Sequence, residues 1–271
     1  MKVTLIISSY NWPAALEVCL KSILRQSRMP DEVIIADDGS GNETKELIQN
    51  YKRKFPVPLK HVWHPDQGFQ LAAIRNKAIL VSENPYIIQI DGDLLLHPQF
   101  IADHVTIAAK GKFVSGSRLL LPGNFSKEIL DGRKLPSLFR LLLKGANRLN
   151  ATRIPVLTRL LAPVYKKNKP FYVKGCNMAF WREDLIAVNG YNEAITGWGK
   201  EDSELAVRLI NAGINRLFLK FGGICYHLFH KEASRNREDF NDSILNETLS
   251  SGKTSCEKGL NSHHTETFII Y

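Results

Sequence analysis

The chain has 271 residues, 44% of them hydrophobic, and a formal net charge of +9. That length can bury a full core, as one large α/β domain or a domain with an appended segment, and the composition is that of an ordinary soluble globule. Cys19, Cys176, Cys225 and Cys256 are scattered with no Cys-x-x-Cys pair, which excludes a cysteine metal site and points to a reducing compartment.

The apolar run at Val3 to Ile7 is too short for a signal peptide or a membrane span and runs directly into Ser8-Ser9-Tyr10-Asn11, so it reads as a first strand. After it, helical patterns at Ala14 to Gln26, Glu43 to Lys54 and Ala72 to Ser82 alternate with strands at Glu32 to Ala36 and Tyr86 to Ile90. This alternation predicts an α/β fold with a mainly parallel, Rossmann-like sheet flanked by helices. Each strand ends in polar residues: Ser9-Tyr10-Asn11, Asp37-Asp38-Gly39-Ser40 and Asp91-Gly92-Asp93. Open α/β sheets bind ligands beyond the carboxyl ends of their strands, so three such endings on one edge make a site.

Asp91-Gly92-Asp93 by itself suits a turn as well as a metal site. Hard cations such as Mg²⁺ or Mn²⁺ take one or two carboxylates and complete their shell with water and substrate phosphates, so a single Asp-x-Asp suffices beside a diphosphate. A calcium loop of the EF-hand type fits poorly, because Leu96 and Ala102 stand where glycine and glutamate are expected.

Residues 101 to 118 are expected to add a helix and the strand Phe113 to Ser117. Residues 119–170 then hold eleven Lys or Arg against Glu128 and Asp131, which accounts for the whole excess charge. Leu138 to Leu149 reads as an amphipathic basic helix with Arg140, Lys144 and Arg148 on one side and Leu138, Leu142, Ala146 and Leu149 on the other; Ile154 to Val164 repeats the mixture. The competing reading is a helical pair packed on the core with a solvated basic face. An anionic membrane surface is the favoured partner for this inserted segment; nucleic acid is disfavoured, since no aromatic interleaving or nucleic-acid motif accompanies the charge.

Further on, strands are expected at Phe171 to Lys174, Arg216 to Lys220 and Ile224 to Tyr226, with a helix at Glu204 to Ala212. Gly197-Trp198-Gly199-Lys200-Glu201-Asp202 combines a flat apolar face suited to a sugar ring with two carboxylates, which also fit the positive end of the following helix. His227 and His230 follow an apolar strand as the aspartates do, and imidazole can complete a metal shell. Residues 236–271 read as a polar C-terminal tail, apolar only at Phe268 to Tyr271.

In this order and spacing the motifs resemble the family 2 glycosyltransferases with a GT-A fold. They are Ser8-Ser9-Tyr10-Asn11, Ala36-Asp37-Asp38-Gly39-Ser40, Gln67-Gly68 with Ala73 to Ala78, Asp91-Gly92-Asp93, Lys174-Gly175-Cys176-Asn177 and Trp198 to Asp202, covering roughly residues 3 to 118 and 172 to 230. Gly-Trp-Gly-x-Glu-Asp also resembles the acceptor end of galactosyltransferases and chondroitin polymerases. The resemblance implies a metal-dependent, inverting hexosyltransferase that moves a sugar from a UDP-sugar to a hydroxyl of a glycan or lipid-linked glycan in surface polysaccharide synthesis.

Carried over residue by residue, it implies that Tyr10 packs on the uracil and Asp38 bonds its ring, with Ser9, Asn11, Gln67, Arg75 and Gly92 near the nucleotide. Asp91 would contact the ribose or donor sugar, while Asp93 and His227 would bind Mn²⁺ or Mg²⁺, with His230 as the alternative ligand. Trp198 and Glu201 would hold the acceptor, and Asp202 would be the base. Residues 1–235 would form a single catalytic domain, with 1–118 binding the nucleotide-sugar, 119–170 inserted and 171–235 binding the acceptor. The expected setting is cytoplasmic, peripheral on the inner face of the membrane. The rival readings are a sugar-nucleotide pyrophosphorylase, opposed by Ser9-Tyr10-Asn11-Trp12 where a glycine-rich loop with Thr-Arg is needed, and a non-catalytic sugar-nucleotide or glycan-binding module, opposed by the retained base and metal ligands, Asp202, Asp93 and His227.

Overall fold

A computed structural model describes residues 1–144, 151–231, 234–263 and 268–271. The chain begins as expected, with β1 (Val3–Ser9), α1 (Pro13–Ile23), β2 (Glu32–Asp37), α2 (Asn42–Lys52), β3 (Leu59–Trp63), α3 (Leu71–Val81) and β4 (Tyr86–Asp91). It continues through β5 (Leu94–Leu96), α4 (Phe100–Ile107), β6 (Lys112–Gly116), β7 (Leu119–Leu120), α5 (Gly123–Gly132), α6 (Leu138–Lys144), α7 (Pro155–Leu161), β8 (Asn177–Trp181), α8 (Arg182–Ala187), α9 (Glu201–Asn211), β9 (Asn215–Leu219), β10 (Cys225–His227), α10 (Glu238–Ser251) and β11 (Ile269–Ile270).

The larger sheet has the order β11-β3-β2-β1-β4-β8-β6-β9. β1 to β4 are parallel, and among the described residues only β8 and β11 of this sheet run against their neighbours. Alternate residues of β1 serve opposite faces, as the period of a strand dictates. Leu5 and Ile7 pack with Leu16 and Leu20 of α1 on one face, and Ile6 packs with Ile74 of α3 and Leu205 of α9 on the other. The parallel strands thus present their carboxyl ends, Ser9, Asp37 and Asp91, at one edge. A second sheet, β5-β10-β7, forms beside that edge and buries Leu95, Leu119 and Tyr226 with Phe125 and Ile129 of α5.

Four expectations need correction. Phe171 to Lys174 is not a strand; the pairing partner of β4 starts at Asn177, with Ile90 opposite it, and the preceding residues form an irregular lead-in that buries Val173. The missed strand β3 is obscured by Lys60 and His61, the latter buried because its Nε2 meets Asp37 Oδ2 at 2.8 Å. Residues 236–271 are not merely a polar tail. Helix α10 packs on α9, where the buried Thr248 donates to Glu204 Oε1 at 3.1 Å, and Ile269 pairs with Trp63 at the far sheet edge.

The fourth concerns the basic segment. Helix α6 buries Leu141 and half-buries Leu142, while Leu138 and Phe139 are exposed, and Arg140 pairs with Glu128 at 2.9 Å. Of the expected apolar stripe, Leu138 is therefore turned toward solvent while Leu142 is half-buried; Ala146, Arg148 and Leu149 lie outside the described residues. In α7 the buried residue is polar: Thr158 donates to the carbonyl of Phe221 at 2.8 Å, and Val156 and Leu160 are 68% and 65% exposed. Among the described residues no helix is long and apolar enough to cross a membrane. All four cysteines are free and buried.

Candidate active site

The strand ends, the β4–β5 turn, the Trp198 loop and the end of β10 enclose a cleft of about 760 Å³. Ser9, Tyr10, Asp38, Arg75, Asp91, Gly92, Asp93, Trp198, Glu201, Asp202, His227 and His230 all line it. Asn11 and Gln67 do not. Asn11, at φ +42°, instead shapes the turn after β2, its amide donating to Ser40 Oγ at 2.8 Å and its Oδ1 accepting from the Gly41 amide at 3.0 Å. Gln67 is exposed between Asp66 and Gly68.

At one end of the cleft Tyr10 is half exposed, its hydroxyl donating to Asp66 Oδ2 at 2.9 Å. Gly39, at φ +96°, lets the Asp66 backbone approach, since a Cβ there would lie 2.5 Å from Asp66 Cα. Asp38 is 5% exposed; its Oδ1 meets His64 Nε2 at 2.7 Å and its Oδ2 accepts from the Gln70 amide at 2.8 Å.

Arg75 is the hub of the centre. It is 1% exposed and donates from Nε to Ser8 Oγ at 3.2 Å, from Nη2 to Asp91 Oδ1 at 3.0 Å and from Nη1 to Glu201 Oε1 at 3.2 Å. A buried charge of this kind is tolerated only when paired. It ties β1, β4 and α9 together. Burial pushes the Glu201 carboxyl up to about 7, with Asp202 adding to the rise and Arg75 opposing it, and Glu201 Oε2 is buried without a partner among the described residues. Asp202 Oδ2 accepts from the Gly175 amide at 2.6 Å and Oδ1 from the Ser203 amide at 2.8 Å, which holds the carboxylate rigid at the head of α9.

Asp93 sits in the β4–β5 turn, anchored where the Gly92 amide donates to the Ser8 carbonyl at 2.8 Å. The antiparallel register that pairs His227 with Leu94 brings the end of β10 beside it. His227 Nε2 and His230 Nε2 lie 3.3 and 3.1 Å from Asp93 Oδ2, and the three ligand atoms fall within 4.8 Å of one another. His230 Nδ1 is 2.8 Å from the Lys231 carbonyl, which can only accept, so Nδ1 carries a proton and Nε2 is the ring atom turned to the Asp93 carboxylate. Burial lowers the pKa of His227, the hydrogen bond to Asp93 raises that of His230, and Asp93 Oδ1 is buried without a partner among the described residues. One carboxylate and two imidazoles form a donor set suited to Mn²⁺. Sequence reasoning treated His230 as an alternative to His227; the geometry brings both together.

Gly197, Gly199 and Lys200 have φ of +73°, +96° and +78°, so the Gly-Trp-Gly sequence is required by left-handed backbone on either side of the indole. Trp198 carries the Arg235 guanidinium 4.5 Å above its ring. The cleft also contains residues that sequence reasoning missed, among them Phe69, Arg118 and Phe229. Arg118 was within reach of the rule that found the aspartates, since it stands just beyond the end of β6. Its Nη1 lies 3.4 Å from Cys176 Sγ. Asp66 and Phe69 sit in a loop whose place depends on the Gly39 approach.

The sequence matches Glycosyl transferase family 2 over residues 4–185 and the N-terminal domain of galactosyltransferase over residues 161–231. It is 27% identical over 220 residues to validoxylamine A glucosyltransferase of Streptomyces hygroscopicus subsp. limoneus, covering 78% of this chain and 48% of that protein. It is 25% identical over 238 residues to chondroitin synthase of Escherichia coli, covering 83% and 34%. The chain thus spans half or less of the length of these curated relatives. Among solved structures, S. aureus TarS 1-349 in complex with UDP-GlcNAc superposes with a TM-score of 0.65 at 15% identity, covering 97% of this chain and 69% of that one. Mannosyltransferase PcManGT from Pyrobaculum calidifontis, in complex with GDP-Man and Mn²⁺, gives 0.60 at 20% identity, covering 85% and 58%. Both likenesses support the GT-A fold.

Proposed function

The chain belongs to glycosyl transferase family 2, and on that premise we propose that it moves a hexosyl group from a UDP-sugar to a hydroxyl of a glycan or lipid-linked glycan, with inversion. One observation carries the reading: a carboxylate with two imidazoles and the Glu201–Asp202 pair line a single cleft. Tyr10 and Asp38 would hold the nucleobase, Asp91 the ribose or donor sugar, and Trp198 with Glu201 the acceptor. Residues 1–118 would thus carry the donor half and 171–235 the acceptor half.

Asp93, His227 and His230 would hold a divalent cation, Mn²⁺ or Mg²⁺, which when bound supplies neutralisation of the diphosphate leaving group. The Asp202 carboxylate keeps lone pairs beyond those given to the Gly175 and Ser203 amides. It accepts the acceptor hydroxyl proton as that oxygen bonds the anomeric carbon from the face opposite the departing diphosphate. The tight backbone bonds at Asp202 spare the base any reorganisation. Arg75 keeps Asp91 and Glu201 in place while the charge on the diphosphate grows.

The exposed Leu138, Phe139, Val156, Leu160 and Val164, set among the lysines and arginines of 119–170, support a second proposed contact: an anionic membrane surface on the cytoplasmic side, where a lipid-linked acceptor would be presented. The rival pyrophosphorylase and binding-module readings are separated from the first by turnover. UDP-sugar hydrolysis or transfer is measured with and without Mn²⁺ for the intact protein, Asp202→Asn and Asp93→Ala. Metal-stimulated transfer that falls by roughly 10²–10⁴ in kcat for Asp202→Asn supports the assignment. Turnover that ignores the metal, or no turnover with any donor, overturns it.

A further inference from the structure

Behind Asp38 lies a buried chain of polar groups that the mechanism above does not use. Lys77 Nζ, on α3, is 2.7 Å from His64 Nδ1, and His64 Nε2 is 2.7 Å from Asp38 Oδ1. Lys77, His64 and Asp38 are 8%, 6% and 5% exposed. An ammonium group has three donors and no acceptor, so His64 Nδ1 must accept and the ring proton must reside on Nε2, where it is donated to the carboxylate. With the Gln70 amide on Oδ2, both oxygens of Asp38 are then tied by donors.

The neighbouring pair provides an internal contrast. His61 meets Asp37 in the same way, yet Asp37 lies outside the cleft, and His61 Nδ1 is buried with no partner among the described residues. A structural His–carboxylate pair in this fold therefore does without a lysine. The pair that reaches the cleft has one, although burial works against the charge of Lys77.

We infer that Lys77 and His64 are positioning residues that keep Asp38 an acceptor-only carboxylate, so that the cleft selects a nucleobase bearing a ring N–H, uracil over cytosine. Uracil presents N3–H to such a group. Cytosine presents an N3 lone pair there and is repelled, because a site built to accept a hydrogen bond rejects the ligand that lacks the donor. This rests on the proposed placement of the nucleobase at Asp38.

The test is calorimetric binding of UDP and CDP in the presence of Mn²⁺, with thermal melting in parallel. Intact protein is expected to prefer UDP by ~10²-fold, and Asp38→Asn to lose that preference. Lys77→Met and His64→Leu each weaken UDP by about tenfold while leaving CDP nearly unchanged, and His64→Gln, which keeps a donor near the Nε2 position, restores most of the preference. A general loss of folding would instead lower both affinities and the melting temperature together, and the two separate variants guard against one failing to fold. If intact protein does not discriminate, or Asp38→Asn binds like it, the nucleobase placement itself is wrong. If Asp38→Asn loses discrimination while Lys77→Met and His64→Leu retain the full UDP to CDP ratio, the placement stands and the relay is refuted.

Discussion

Asn241 Nδ2 donates a hydrogen bond to the backbone carbonyl of Trp198 at 3.3 Å. The same amide reaches the carbonyls of Thr196 and Gly199, both at 3.1 Å, so one fully buried side chain of α10 holds the loop that presents the indole to the cleft. The segment with the least conspicuous sequence is thereby part of the site's scaffold.

Replacing Asn241 by Ala removes all three bonds and leaves buried carbonyls unpaired, at a cost of roughly 1–3 kcal/mol. The loop bearing Trp198 is expected to loosen. Acceptor KM should rise several-fold while UDP affinity stays level; a variant whose acceptor and donor constants both match the intact protein would show that α10 has no part in acceptor binding.

Loss of any of Asp93, His227 or His230 should weaken Mn²⁺ binding. Because one carboxylate and two imidazoles leave few protein ligands to spare, each alanine variant is expected to lower Mn²⁺ affinity by at least ~10-fold, comparable to disturbing a metal's supporting shell. Titration calorimetry or the spin resonance of free Mn²⁺ measures this. Unchanged affinity in all three would remove the metal from this position.

Glu201 gives a distinct dependence of stability on pH. Its carboxyl is raised from the ordinary range to about 7 by burial, so the folded chain binds this proton more tightly than the unfolded chain. This contribution to stability is therefore largest at low pH, declines as pH rises toward about 7 and is level above it. In Glu201→Gln, which keeps an oxygen for Arg75, the decline should vanish. Melting curves across that interval compare the two proteins.

Arg75 is surrounded by groups that need it. Arg75→Met leaves Asp91 and Glu201 without their shared cation, and breaking a buried pair costs on the order of 3–5 kcal/mol. A marked drop in the midpoint of urea unfolding is expected. Restoration of stability by adding Glu201→Gln would assign much of the loss to that carboxylate.

Contact with a lipid surface is checked with vesicles of anionic and neutral composition. Val156, Leu160 and Val164 replaced together by Ser should reduce sedimentation with anionic vesicles, and added salt should reduce that of the intact protein. Equal binding by both proteins would dispose of the membrane contact.

Most of the strand-end part of the cleft was legible from the residues alone, because local rules suffice there. Apolar runs of strand length ending in Ser9, Asp37 and Asp91 each name their own element and its ligand-facing end, and parallel packing brings those ends together. The acidic residues after Trp198 could be read likewise, since they head a helix whose pattern is plain. Sequence patterning was misleading at Leu138 and Thr158, where burial follows the surface against which a helix rests and not the helix's own polarity.

What only the tertiary structure decided are the contacts between segments far apart in the chain. That His230 joins His227 at Asp93 depends on the β5–β10 register; that Arg75 links Asp91 to Glu201 depends on α9 packing beside β1 and β4; that Asn241 holds the Trp198 loop depends on α10 folding over α9. The sequence by itself determined which chemical groups are available and on which strand and helix ends they stand. Their combination was settled by long-range packing, because hydrogen bonds and ion pairs form between atoms a few ångströms apart in space, and no local pattern records which distant residue will fill that space.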